Sequence, residues 1–403
     1  MAPSRFKAVL IFFLGSMLAI HLAMAWIVKA QIAEGRPDFL IYYCEGRIFR
    51  STQPPQLYNE SLQAKFQYET AASKWTPPQV KPYMHPPFEV LLFVPFSLLP
   101  FTAAYVLWAV FNLVLLVVSI LLLKGEFRSR GSPVWWVLAA LAFFPVFLTI
   151  LEGQDTFFVL LAYSGSLLAL RRNRDLSAGA CLGLGLVRPH LILPFVFVGM
   201  LRGKWRLLLG FVLSCVAISL VSIAVAGWYG FLDYPRYIWS LEHTRSTLVI
   251  PPRYIPNLRG FIGYFLANLA GPRALLSINL LLSLFLLVWA SRRWTTAEKK
   301  QQFSSLGFSL ALLVTSLVSY HEFIYDFTVL LIPITAFVHA QENSTARKRW
   351  YFLPIVVLFL TPLYILLWYR VELLNLMALV EVALGYCISR AMRERERSFS
   401  RAE

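Results

Sequence analysis

The stretch TAAYVLWAVFNLVLLVVSILLL, residues 102–123, decides the class of fold because it is long, apolar and free of charged side chains. A helix needs about 20 apolar residues to cross the hydrocarbon core of a bilayer. The same composition extends along all 403 residues: 58% are hydrophobic, 14% are charged and the mean hydropathy is +0.63. Since soluble domains have about 25% charged residues, the sequence predicts an all-α polytopic membrane protein.

The net charge of +16 comes largely from short basic loops between apolar runs. Cytoplasmic loops are enriched in Lys and Arg, which predicts that both termini are cytoplasmic. Nucleic-acid binding is not expected, since no soluble domain carries a basic face with interleaved aromatic residues. The basic loops are 171–174, 202–206, 292–293, 299–300, 347–349 and 393–401.

The length allows roughly ten to thirteen spans in a single domain, residues 1–403. The predicted helices lie near 8–28, 102–123, 134–150, 156–170, 206–227, 273–290, 303–319, 325–340, 351–369 and 372–390. The predicted non-membrane segments are a first outer loop (29–85), a second outer loop (228–256) and a cytoplasmic tail (391–403). Segments 86–100, 177–201 and 257–270 either span or re-enter, and the second of these is expected to form two short helices meeting at Arg188-Pro189-His190.

Ionisable residues at bilayer depth are costly and tend to mark function. Here they fall on the predicted outer side, or on a broken helix that faces it. Such a one-sided arrangement favours an enzyme over a carrier, which needs a central site reachable from both sides. These residues are Asp38, His85, Glu89, Glu152, Asp155, Arg188, His190, Arg253, Arg259, His321, Glu322 and Asp326.

Asp38 follows the first predicted helix, at the boundary between membrane and water, and aromatic residues follow it. A carboxylate in this position is suited to act as a general base on a lipid-linked substrate. The alternative is an interfacial Asp that caps a short helix.

The other candidates also have structural explanations. Arg188, beside Pro189, is either an anion contact, since a guanidinium suits phosphate, or a side chain that extends to the interface. The alternatives are capping for His85, Gln154 and Asp155, an ordinary turn for His321 and Glu322, and interfacial charge for Arg253 and Arg259.

Several chemical signatures are missing from the sequence. It has no Asp-x-Asp pair, Walker loop, Gly-rich dinucleotide loop or HExxH motif, and its four cysteines are scattered. A nucleotide-dependent mechanism is therefore not expected, and neither a metal nor another cofactor is predicted.

A series of short motifs runs along the chain: Asp38 with following aromatics, Tyr83-x-His85-Pro86-Pro87, a Gly153-Gln154 turn and a Gly-rich helix ending at Arg188-Pro189. This series resembles glycosyltransferase family 87 of the GT-C superfamily. These polytopic enzymes take a sugar from a polyprenyl-phosphate donor, and they include polyprenol-phosphate-mannose-dependent mannosyltransferases. The resemblance implies a GT-C-type bundle with a long first outer loop.

The resemblance also assigns roles. The family's catalytic acidic residue falls on Asp38, and a late His that matters in the mannosyltransferases falls on His321, in surroundings that differ from theirs. The basic residue before proline, often Lys in the family, is Arg188. The family's Pro-Pro element falls on Pro86-Pro87 and its Gly-Gln element on Gly153-Gln154. Together with the polar residues discussed above, the sequence predicts donor-phosphate contacts at Arg188, Arg253 and Arg259, and pocket residues Tyr42, His85, Gln154, Asp155 and Glu322.

The implied reaction moves a mannose-like hexose from a polyprenyl-phosphate sugar to a lipid or glycan acceptor, with inversion and with Asp38 as the base. It would take place among membrane lipids at the outer, periplasmic face of the plasma (inner) membrane. Two alternatives stay open: a transporter or flippase of lipid-linked saccharides, and a polysaccharide polymerase or ligase.

Overall fold

The structure is a computed structural model that describes residues 3–52, 55–71, 80–127, 132–244, 250–300, 304–342 and 349–399. Across these ranges the chain is helical and contains no strand. Parts of the predicted outer loops and tail lie outside the described residues, namely 53–54, 72–79, 245–249 and 400–403.

The helices follow one another with short connections. They are α1 (Pro3–Ala33), α2 (Phe39–Ser51), α3 (Glu60–Thr70), α4 (Val90–Phe93), α5 (Phe101–Glu126), α6 (Pro133–Leu141), α7 (Phe144–Glu152), α8 (Thr156–Arg171), α9 (Asp175–Leu184), α10 (Pro189–Leu201), α11 (Trp205–Thr244), α12 (Leu258–Phe265), α13 (Pro272–Lys300), α14 (Ser305–Val318), α15 (Leu331–Glu342), α16 (Leu353–Phe359), α17 (Thr361–Tyr369) and α18 (Met377–Phe399). Short 3₁₀ helices cover Pro87–Glu89, Phe96–Leu98, Pro252–Tyr254, Ile324–Leu330, Arg349–Phe352 and Leu374–Leu376.

The predicted all-α polytopic membrane fold is confirmed. In the described residues, 6 helices are long and apolar enough to cross a bilayer, or up to 8 if each of two bent pairs forms one span. Four further apolar helices are shorter: α8, α9, α10 and α14. The count of roughly ten to thirteen spans stays a prediction, because it requires some of these shorter helices to cross as well.

Proline breaks two of the predicted helices. The segment 134–150 forms α6 and α7, which meet at 74°, and the segment 351–369 bends by 61° between α16 and α17. Pro145 and Pro362 lie in the first turn of the second helix of each pair. Since proline has no backbone N–H and clashes with the preceding turn, each helix starts anew at the proline.

The predicted second outer loop is partly helical, because α11 continues to Thr244 past a kink at Gly227 (φ 72°, ψ 172°). The predicted tail is helical as far as Phe399. Segment 86–100, for which a span and a broken or re-entrant helix were both open, forms a series of single turns, two 3₁₀ and one α. The predicted break at Arg188-Pro189 is correct, and it separates α9 from α10.

Two groups of charged residues lie at opposite ends of α8. Asp155 precedes α8, Arg171 is its last residue, and a helix of this length spans about 24 Å. Arg171 lines a cavity of about 200 Å³ together with His339 and Arg395, and it pairs with Glu126 at 2.6 Å. We call this the basic end, and the end that carries Asp155 the polar end.

Candidate active site

Asp38 is held at both carboxylate oxygens at the start of α2. Lys81 Nζ lies 2.6 Å from Oδ1, and Gln154 Nε2 donates to Oδ2 at 2.8 Å. The Asp38 side chain keeps 27% of its exposure and forms no cap hydrogen bond to the described part of α2. The capping alternative is therefore not supported, and the carboxylate faces a partly open site.

Lys81 and Glu152 complete the surroundings of Asp38, and no sequence motif singles out Lys81. Lys81 also donates to the carbonyl of Arg36 at 2.9 Å, so it ties residues 36–38 to the segment before His85. Glu152 Oε2 accepts a hydrogen bond from the backbone N–H of Asp38 at 3.1 Å. The start of α2 is therefore fixed through backbone and side chain alike.

The turn at Gly153 carries Gln154 toward Asp38. Gly153 has φ +65°, a left-handed conformation that favours glycine, and a Cβ there would lie 2.7 Å from Cβ of Phe39. Trp108 Nε1 donates to the carbonyl of Gly153 at 2.8 Å, and Asn112 Nδ2 donates to that of Gln154 at 3.0 Å. The turn is thus fixed from α5 and pressed against the first residue of α2.

Arg188 lies behind this turn, with only 5% of its side chain exposed. Its Nε donates to Asp155 Oδ1 at 2.7 Å, and a terminal nitrogen donates to Asp326 Oδ1 at 2.9 Å. The other terminal nitrogen donates to Gln154 Oε1, and the guanidinium lies 4.9 Å from the ring centroid of Tyr325. Arg188 therefore connects three separate segments of the chain at the polar end.

His85 and Tyr42 adjoin the same turn. Tyr42 Oη donates to Gln154 Oε1 at 2.8 Å and lies 3.3 Å from His85 Nε2. His85 Nδ1 lies 2.9 Å from Glu89 Oε2. The predicted pocket residues Tyr42, His85, Gln154 and Asp155 are thus in contact with one another or with Arg188.

Burial sets the charge states here. Removal from water lowers the pKa of His85 to about 4, so its ring is neutral at pH 7. Burial raises the pKa of Asp155, but the Arg188 guanidinium, the His85 ring and side-chain hydrogen bonds together outweigh this effect, and the pKa of Asp155 lies below its usual value.

A second, more open group of residues lies next to Asp326. His190 Nε2 is 3.8 Å from Asp326 Oδ2 and near enough to His321 for their charges to interact. Arg259 lies 3.5 Å from His321 Nδ1, and it donates to the carbonyl of Tyr320 at 2.7 Å. In the described residues no carboxylate pairs with the half-buried Arg259.

Two predicted site residues lie apart from this network. Arg253 pairs with Glu372 at 3.3 Å. Glu322 is buried and accepts a hydrogen bond from Ser316 of α14, and no hydrogen bond or ion pair in the described residues joins it to Asp38.

The fold and this one-sided polar site define a polytopic membrane protein with an anchored, partly exposed carboxylate. The family model of glycosyltransferase family 87 matches residues 83–319, more than half of the chain, and the chain belongs to this family. The match contains His85, Gln154, Asp155, Arg188 and Arg259, whereas Asp38, Tyr42, His321 and Glu322 lie outside it. Searches of curated proteins and of solved structures found no match.

Proposed function

We propose that this glycosyltransferase moves a hexose from a polyprenyl-phosphate sugar to a lipid or glycan acceptor, with Asp38 as general base. The observation that carries the proposal is the environment of Asp38. Its carboxylate is fixed by Lys81 and Gln154 but still 27% exposed. A general base needs both a fixed position and access to the proton that it takes.

The chemistry follows from this arrangement. Two hydrogen bonds leave free lone pairs on a carboxylate, which has about four acceptor positions. An acceptor hydroxyl would give its proton to Asp38 while its oxygen bonds to the anomeric carbon. The bond from that carbon to the phosphate oxygen breaks, and its electron pair leaves with the polyprenyl phosphate, with inversion at the carbon.

The departing phosphate needs positive charge, and Arg259 with His321 supports this role best. Both lie at the polar end, and Arg259 is half-buried without a carboxylate partner among the described residues. Arg188 has its donors directed at Asp155, Asp326 and Gln154. We therefore assign Arg188 to hold Gln154, Asp155 and Asp326 in position. This role is less direct than the phosphate contact expected from the sequence.

The orientation follows from the positive-inside rule. With the basic end in the cytoplasm, the polar end faces outward, and the donor lipid would lie between helices with its phosphate at the polar end. The separation of the two ends supports an enzyme over a transporter, because Asp38 and Arg188, with their partners, gather at one end of α8.

The test is a transfer assay with the full-length protein in liposomes. A panel of radiolabelled polyprenyl-phosphate sugars is compared with nucleotide sugars of the same hexoses, with a membrane lipid extract as acceptor. We expect product from at least one polyprenyl-phosphate sugar and from no nucleotide sugar. Transfer from a nucleotide sugar alone, or movement of lipid-linked sugar across the bilayer without transfer, would contradict the proposal.

A further inference from the structure

The hydrogen bonds around His85 assign its tautomer. Gln154 donates through Nε2 to Asp38, so its Oε1 is an acceptor and receives the Tyr42 hydroxyl proton at 2.8 Å. A tyrosine hydroxyl has one proton. The contact of 3.3 Å between Tyr42 Oη and His85 Nε2 is therefore a hydrogen bond only when Nε2 carries the proton, and in that neutral tautomer Nδ1 carries only a lone pair.

That lone pair faces two buried carboxyl groups. His85 Nδ1 lies 2.9 Å from Glu89 Oε2 and 3.8 Å from Asp155 Oδ2. Glu89 and Asp155 are 0% exposed. Glu89 Oε1 and Asp155 Oδ2 receive no hydrogen bond from an N–H group or a hydroxyl of the described residues, and the two carboxyl groups lie close enough to share a proton. Electron-rich atoms that face one another in a buried space need a cation or an additional proton between them.

The charge of the surrounding residues favours a divalent cation. Arg188 is paired through Oδ1 of both Asp155 and Asp326, so Asp155 Oδ2 is not paired with the guanidinium. Burial and the neighbouring Asp155 raise the pKa of Glu89, so Glu89 would ionise only beside a bound cation. The three carboxylates and one guanidinium would then have an excess of two negative charges. A divalent cation beside Glu89 and Asp155 would neutralise this excess.

We propose that His85 Nδ1, Glu89 and Asp155 Oδ2 form a binding site for a divalent metal ion. The candidate ligand atoms all lie within 4.8 Å of one another. One imidazole nitrogen with two carboxylate oxygens suits Zn²⁺ or Mn²⁺, and three protein ligands leave a position for water. No such site was expected from the sequence, because Asp155 lies far along the chain from His85 and Glu89.

The neighbouring residues suit this role. Metal-ligating histidines usually bond through their other ring nitrogen to a fixed partner, and Tyr42 occupies that position for His85. Arg188 holds Asp155 in the same manner. A bound ion would fasten the segment around His85 to the turn that carries Gln154. This inference concerns metal binding and does not depend on the proposed sugar donor.

The experiment uses the full-length protein in detergent, with its affinity tag removed and after treatment with EDTA. Zn²⁺ binding is measured by isothermal titration, and bound Mn²⁺ is examined by pulsed electron paramagnetic resonance. We expect one equivalent of metal and the nitrogen coupling of one bound imidazole.

His85→Ala and Glu89→Gln should weaken binding at least about tenfold, in line with the loss of an essential group at a metal site. Glu69→Gln, at an exposed carboxylate paired with Arg47, should bind as wild type does.

The competing explanation is a proton shared between Glu89 and Asp155, and Glu89→Gln separates the two. Glutamine imitates a protonated carboxyl group, so a shared proton predicts wild-type thermal stability and no metal-dependent stabilisation in either protein. Wild-type protein that binds no stoichiometric metal would overturn the proposal, as would Glu89→Gln that binds as tightly as wild type. If the variants do not fold, the imidazole coupling in wild-type protein remains decisive, and its absence would also overturn the proposal.

Discussion

Asp38 and Arg188 are joined by one side chain, Gln154, yet they lie in opposite environments. Asp38 keeps 27% of its side-chain exposure and contacts one cation, whereas Arg188 keeps 5% and is enclosed by two carboxylates and an amide. The family match includes Arg188 but not Asp38. The comparison indicates a division of work between the two residues. Asp38, which is exposed, would contact the substrate, and Arg188, which is buried, would hold Gln154 and Asp155 in position.

The largest expected effect is on turnover, in Asp38→Asn. Asparagine keeps the size of the side chain and an oxygen for Lys81, but it cannot accept the proton of the acceptor hydroxyl. We expect a loss of at least about a hundredfold in transfer rate, with donor binding retained. Initial rates in liposomes measure this.

Glu69→Gln serves as the matched control, since it removes a carboxylate from α3, where it pairs with Arg47 and not with a residue of the site. If Asp38→Asn transfers sugar at close to the wild-type rate, the division of work is wrong, and Asp38 has a structural role.

The next effect is on stability, in Arg188→Ala. This change leaves Asp155 and Asp326 buried without their cation, and breaking a buried ion pair costs about 3–5 kcal/mol. We expect a clear fall in the thermal unfolding temperature. Arg188→Lys should recover part of the loss, because a single ammonium cannot reproduce the planar contacts of a guanidinium.

Arg253→Ala is the control for loss of an arginine, because its pair with Glu372 is 43% exposed on the arginine side and should contribute no more than about 1 kcal/mol. If Arg188→Ala left stability unchanged and weakened donor binding, the positioning role would be wrong. Arg188 would then contact the donor phosphate, as expected from the sequence.

A smaller loss is expected from Gly153→Ala, which tests the connection between the two regions. A non-glycine residue in the left-handed conformation costs about 1–3 kcal/mol, and the new Cβ would meet Phe39 at 2.7 Å. Both stability and transfer rate should fall, because Gln154 moves relative to Asp38. Gly125→Ala is the control, since a Cβ added there would meet no atom of a neighbouring element within 4 Å; equal behaviour of the two variants would contradict the role of this turn.

Local features of this site were predictable from the sequence, and its pairings were not. Pro189 marks a helix start and Gly153 a turn, since each reflects the backbone preference of a single residue. Asp38, too, was found from its position after the first helix. The pairs Lys81 with Asp38 and Arg188 with Asp326 join residues that are 43 and 138 positions apart, and no local pattern specifies such contacts.

Differences between the predicted and the observed fold have a similar origin. The aromatic and charged residues after residue 227 favoured a loop, yet α11 continues through them. Beyond the kink, Tyr234 and Tyr237 pack against Tyr58, and Tyr237 Oη donates to Gln63 Oε1 at 3.4 Å. Tertiary packing of this kind overrides local preference. The place of Glu322 in the pocket stays a prediction, and no local pattern indicated that its carboxylate accepts a hydrogen bond from Ser316.

The smallest expected effect concerns pH and the buried side of the site. Burial lowers the pKa of His85 to about 4 from its ordinary value of 6.5, so the unfolded chain takes up a proton at a pH where the folded chain does not. Protonation of the unfolded state lowers the free energy of unfolding as the pH falls, and His85 should contribute a loss of about 1 kcal/mol between pH 7 and 5.5 in EDTA-treated protein. Urea unfolding at the two pH values measures the loss, and His85→Asn, which has no group that titrates there, should show a correspondingly weaker dependence. If both proteins showed the same pH dependence of the free energy of unfolding, burial would not lower the pKa of His85. His85 would then belong with Asp38 among the open residues of the site, not with the buried Arg188.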